Sequence, residues 1–158
     1  MTIAEGLAAL YSRDLTRLIQ ELRAFPSDET LWQRAPGVKN PAGNLVLHLE
    51  GNLREYIGRQ LGHVAYSRTR DQEFALNGIP RAALVQRMEQ VKELVTEVIA
   101  RLSESELTAT HPERVLEIDL SSHDLLVHLH GHLNFHLGQI DYLRRMLTEG
   151  SAVAFAGL

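Results

Sequence analysis

Hydrophobic residues return at helical rather than strand spacing along most of the chain. Leu7, Leu10, Leu15, Leu18 and Leu22 predict an amphipathic helix over about residues 2–25. Thr2 and Glu5 have capping-box spacing at its start, where a hydroxyl and a carboxylate can satisfy free amide groups. Pro26 and Ser27 end it, and the connector to residue 40, with Trp32, Pro36 and Gly37, reads as a packed loop. Asn40 as N-cap and Pro41 in the first turn open a second helix over about 41–62. Its stripe is Leu45, Leu49, Leu53, Tyr56 and Ile57, and Gly62 is its stop.

Residues 63–78 are polar and read as a loop. Pro80 opens a third helix over about 80–102, with Leu84, Met88, Val91, Leu94, Val95, Val98 and Leu102 on one face. Ser103 and Glu106 can cap a short turn, and residues 114–120 read as extended. Ser121 or Ser122 then caps a fourth helix over about 121–149, which Gly150 breaks. Four long helices joined by loops predict an all-α fold, a four-helix bundle occupying residues 1–158 as one domain.

Composition narrows the function more than the fold. Apolar residues make up 44% and charged residues 23% of 158, as in an ordinary globular protein. The net charge is -4 and no basic block is present, which argues against nucleic acid as a partner. No apolar run approaches the roughly 20 residues that cross a bilayer, so no membrane partner is expected. The start, Met1 to Leu10, lacks the pattern of a signal peptide, and a cytoplasmic location is the default expectation. There is no cysteine, so thiolate metal sites and cysteine nucleophiles are excluded. Any soft-metal chemistry must use the eight histidines, five of which lie between His123 and His136.

Helical phasing divides that cluster. With His132 set at zero and each step turning about 100°, His128 lies near -40°, His136 near +40° and Gln139 near -20°. Leu125, Leu129, Ile140, Leu143 and Leu147 fall between about +20° and +80°. His128, His132, His136 and Gln139 are thus expected inside an apolar arc, with His123, His130 and Asn134 near 180° on the solvent side. Residues i and i+4 stand one turn apart, so His132 and His136 can share one ion. Leu133 follows His132, so the His-Glu-x-x-His pattern of metalloproteases is absent. A third ligand must come from a facing helix, and His48, at the edge of the second helix's stripe beside Asn52, Glu55 and Arg59, is the candidate. Three neutral histidines would leave a position open for water or substrate, as catalytic zinc sites do.

The segment His132-Leu-Asn-Phe-His136-Leu-Gly-Gln-Ile-Asp-Tyr-Leu-Arg-Arg145 resembles the last helix of the DinB/YfiT-like superfamily. Asn40 to Arg54 looks like the second helix of one branch of that family, and Arg70-Asp-Gln-Glu-Phe74 like its following loop. The resemblance implies a four-helix bundle that binds a divalent ion, zinc or nickel, through His48, His132 and His136. His128 matches a position where relatives also carry histidine and ranks second, as a neighbouring donor or alternative ligand. Relatives with assigned activity are metal-dependent transferases of low-molecular-weight thiols such as bacillithiol or mycothiol, which implies a thiol cofactor and a small-molecule substrate. Asn52, Glu55 and Gln139 share faces with the expected ligands and are candidates for proton acceptor or oxyanion donor. Pairing with Arg59, one turn on, is the stronger reading of Glu55, and Asp71 and Glu73 are expected to be solvated unless their loop closes over the site. Metal-assisted hydrolysis and a non-enzymatic metal-binding or stress-response bundle remain as alternatives, and a homodimer through an exposed helix face is a further expectation.

Overall fold

The computed structural model describes residues 1–114 and 117–153. The first helix, α1 (Ile3–Ala24), opens on the expected capping box, with Thr2 Oγ1 accepting from the Glu5 amide and Glu5 from the Thr2 amide. A short helix α2 (Asp28–Trp32) occupies part of the predicted loop, capped by Ser27, and Trp32 donates from its indole to the Ile79 carbonyl. The second long helix, α3 (Ala42–Leu53), is capped by Pro41 rather than Asn40. It continues as a π-helical turn over Arg54–Arg59, where the Gln60 amide reaches back five residues to the Glu55 carbonyl. Next come α4 (Arg70–Ala75), α5 (Arg81–Arg101), α6 (Glu104–Thr108, with Ser103 and Glu106 as capping box) and α7 (Ser122–Thr148, capped by Ser121).

The long helices α1, α3, α5 and α7 form the bundle, and the short ones lie in its connectors. Helix α1 packs along α5 and α7, while α3 lies against α7, α5 and α4. Every residue of α3 is buried, because short helices cover the faces that the neighbouring long helices leave. An isolated antiparallel bridge pairs Thr110 with Ser121, and no strand forms among the described residues. The expectation of extended chain over 114–120 falls partly on residues 115 and 116, outside the described residues.

Helix α7 corrects the phasing. Leu126, Leu133 and Leu137 are buried as well, and at about 100° per residue they move the centre of the apolar arc from His132 to near +80°. One edge of the arc carries His132 and His136 toward α3. His128, further round, is exposed rather than inside it. The opposite edge does not face solvent. There His130 and Asn134 meet α1: Asn134 Nδ2 donates to Asp14 Oδ2 at 2.9 Å, and His130 Nε2 lies 2.8 Å from the same oxygen. Arg13 and Arg17 hold the other oxygen of Asp14, which is fully buried. Two turns on, Glu21 accepts from Arg144 Nε at 2.6 Å, both side chains being almost wholly buried. The α1–α7 seam therefore carries two buried carboxylates, Asp14 and Glu21, each bonded across to α7.

Burial pushes the Asp14 carboxyl up, but the bonds from Arg13, Asn134 and His130 outweigh it and hold it at about 2, against 3.8 ordinarily. A carboxylate with a lowered folded-state pKa contributes its stability in full above the unfolded value and loses it as pH falls through the folded one. Acid unfolding followed by circular dichroism will therefore show a component between pH 3.8 and about 2 that Asp14→Asn removes. A profile unchanged by the substitution would count against this assignment.

Candidate metal centre

Two helices bring three imidazoles to one point. His48 projects from α3, and His132 and His136 stand one turn apart on α7. His48 Nε2 lies 3.1 Å from His132 Nε2, and His136 Nε2 lies 3.1 Å from the same atom. The three ligand atoms fall within 4.8 Å of one another. Nitrogens held about 2.0–2.1 Å from a common ion at tetrahedral angles would stand about 3.3 Å apart, close to the observed spacing.

Proton bookkeeping supports the same reading. His48 Nδ1 is 2.9 Å from Glu73 Oε2 and His136 Nδ1 is 2.7 Å from Gln139 Oε1. Both partners are acceptors, so each ring carries its proton on Nδ1 and presents a lone pair at Nε2. His132 Nε2 can carry one proton and satisfy one of those lone pairs, not both. A cation at the centre satisfies all three nitrogens. Burial, with the neighbouring His136 and His48, also pushes the His132 pKa down to about 4, and burial lowers that of His136. Both rings are therefore neutral at physiological pH, the form that binds metal.

Glu73 corrects the expectation of a solvated loop. It sits on α4, is buried, and accepts from Arg68 Nε at 2.7 Å as well as from His48. Burial raises its pKa, but the bonds to His48 and Arg68 prevail and leave the carboxyl below its ordinary value. Phe74 packs against the His48 ring with centroids 5.1 Å apart. Gly51 on α3 leaves the space for this arrangement, since a Cβ there would overlap the Glu73 carboxylate. Glu73→Ala is expected to weaken metal binding about 10- to 100-fold, the usual cost of losing a carboxylate behind a histidine ligand. Gly51→Ala should reproduce a large part of that loss without altering any group that touches the ion. Isothermal titration with zinc measures both, and unchanged affinity in the Glu73 variant would refute the coupling.

The other expected site residues separate. Gln139 is exposed rather than inside the apolar arc, because the arc is centred further round α7, and from there it orients His136. Asn52, one turn from His48, is 7% exposed, and among the described residues neither its Oδ1 nor Nδ1 of His132 has a hydrogen-bond partner. Glu55 pairs with Arg59 at 2.6 Å and accepts from Gln60, and Arg59 also bridges to Glu113. Glu55 is thus tied to Arg59 and Gln60, which in turn reach Glu113, and is not among the converging residues. His128 is not among the converging residues, and His123 lies beside Asp124. Sequence reading missed Glu73, Arg68, Phe74 and Gly51, although Arg70–Phe74 had stood out as a segment.

This geometry defines an all-helical bundle with a three-histidine group able to hold a metal ion. The chain belongs to the DinB superfamily, whose sequence profile matches residues 10–140. Its fold is similar to the crystal structure of a DinB-like protein from Bacillus cereus ATCC 10987. The TM-score is 0.73 at 17% identity, over 98% of this chain and 96% of that one. No curated protein matches the chain in sequence. No helix among the described residues is long and apolar enough to cross a membrane.

Proposed function

We propose that the protein binds one divalent ion, zinc or nickel, through Nε2 of His48, His132 and His136, and transfers a low-molecular-weight thiol to a small electrophile. The observation that carries this reading is the set of three ring nitrogens, those of His48 and His136 each 3.1 Å from that of His132, with no fourth side-chain donor in the group among the described residues. Three ligands leave a position for substrate. A divalent ion bound there would keep a thiol ionised at neutral pH. In the exchange R–SH + R′–X → R–S–R′ + H⁺ + X⁻, the S–C bond forms as the C–X bond breaks. X leaves with the bonding pair, and the thiol proton passes to solvent.

The chain's own residues supply order and electrostatics. Glu73 and Gln139 fix the two Nδ1–H tautomers, and burial keeps His132 unprotonated. Asn52, buried one turn from His48 with its Oδ1 unpartnered among the described residues, is the group proposed to accept a hydrogen bond from the entering substrate. Hydrolysis is the weaker reading because it needs a free general base. Glu73 is held by His48 and Arg68, and Glu55 by Arg59 and Gln60.

The test uses zinc- or nickel-loaded protein with bacillithiol or mycothiol and monochlorobimane, following the fluorescent thioether. Metal-dependent product formation above the uncatalysed rate, lost on chelation, is expected. Turnover of ester or amide substrates without thiol would favour hydrolysis instead. Neither reaction, with a melting temperature still raised by metal, would reduce the protein to a metal-binding bundle.

A further inference from the structure

A groove of about 450 Å³ meets the candidate metal centre at His136, one of the three histidines. His136 and Gln139 line its inner part, and Val38, Leu45, Tyr142 and Met146 supply apolar walls. Tyr142 and Met146 are 63% and 60% exposed, a large uncovered apolar area on one face of α7. From His136 to Met146 the helix rises about 15 Å, at 1.5 Å per residue. Lys39 is the one lining side chain with a fixed charge, so the groove offers a highly charged ligand few partners and an apolar one a continuous surface.

We propose that this groove seats the apolar body, an aryl or medium-chain alkyl group, of the electrophile that the thiol attacks. The inference rests on the metal-centre reading above, because the groove selects a substrate only if the reacting atoms sit at the histidines. It makes the protein selective for hydrophobic electrophiles rather than for small polar ones. Specificity then lies in Tyr142 and Met146, which are too exposed to matter for folding.

The test joins both halves of the site in one probe. Ethanethiol, butanethiol and hexanethiol are titrated against the Co²⁺-loaded full chain, reading the sulfur-to-cobalt charge-transfer band. A buried methylene contributes about 0.8 kcal/mol, or roughly fourfold in affinity. Chain growth from ethanethiol to hexanethiol should therefore tighten binding at least about tenfold, even in a groove open on one side. The double variant Tyr142→Ser/Met146→Ser should flatten that dependence while leaving ethanethiol affinity unchanged. Equal affinities along the series, or a dependence that survives in the double variant, would overturn the inference alone, with the metal centre intact. Failure to bind Co²⁺ at all would overturn the metal reading and this one together. Sedimentation of the wild type as a dimer that the double variant dissociates would also overturn it, because a second copy would then be the occupant.

Discussion

His132→Ala is expected to remove essentially all specific divalent-metal binding. Both partner nitrogens converge on His132 Nε2 at 3.1 Å, so its loss leaves two imidazoles with no shared neighbour. Loss of a residue merely behind a ligand costs about 10- to 100-fold in affinity, and loss of a ligand should exceed that. Stability offers a second readout. An ion present at 100 times its dissociation constant stabilises the native state by about 2.7 kcal/mol. For a chain of this length that corresponds to a rise of roughly 5–10 °C in melting temperature. Wild type should show the rise and His132→Ala should not. His130→Ala is the discriminating control: it lies two residues away but binds Asp14 on the other side of α7. It should melt lower than wild type in the absence of metal and still gain the full metal-dependent increment. Loss of that increment in the His130 variant would place the metal somewhere other than between α3 and α7.

The largest effect on stability itself is expected at Glu21. Its carboxylate is fully buried and takes a 2.6 Å bond from Arg144, which is 3% exposed on the facing helix. Glu21→Ala strands that guanidinium in the seam, with only the 3.4 Å contact to Asp141 and the Ser151 carbonyl left to it. Breaking a buried pair from one side costs about 3–5 kcal/mol, because the surviving charge stays desolvated. A fall of roughly 6–20 °C in melting temperature should follow. Removing both charges together, as Glu21→Leu with Arg144→Met, should recover most of the loss, since the cost lies in the orphaned charge rather than in the missing bond. A double variant no more stable than the single one would show that the pair itself holds α1 to α7.

Much of the architecture was legible because it is set by local rules. The capping boxes at Thr2 and Ser103 formed as their spacing required. The four long helices arose where the apolar period continued, and Gly150 and the prolines before α3 and α5 lie at helix ends. What the period could not convey was which direction counts as inward for a helix with several neighbours. Counting phase from His132 placed His130 and Asn134 in solvent, whereas α1 lies against them with a buried carboxylate. Nor could the period show that Glu55, which shares a phase with His48, would be taken up by Arg59 and Gln60.

The metal-competent histidines divide in the same way. The sequence by itself determined that His132 and His136 share a face, because residues four apart on a helix must, and it singled out His48 as their partner. Only the tertiary structure decided that the three ring nitrogens meet, because helix packing alone sets the distance between α3 and α7. It also decided that a polar connector would bury Glu73 behind His48. That contact spans 25 residues and needs the room left at Gly51, so no local pattern announces it. Local chemistry placed the donors on their helices, and long-range packing gave them a common centre and an orienting carboxylate.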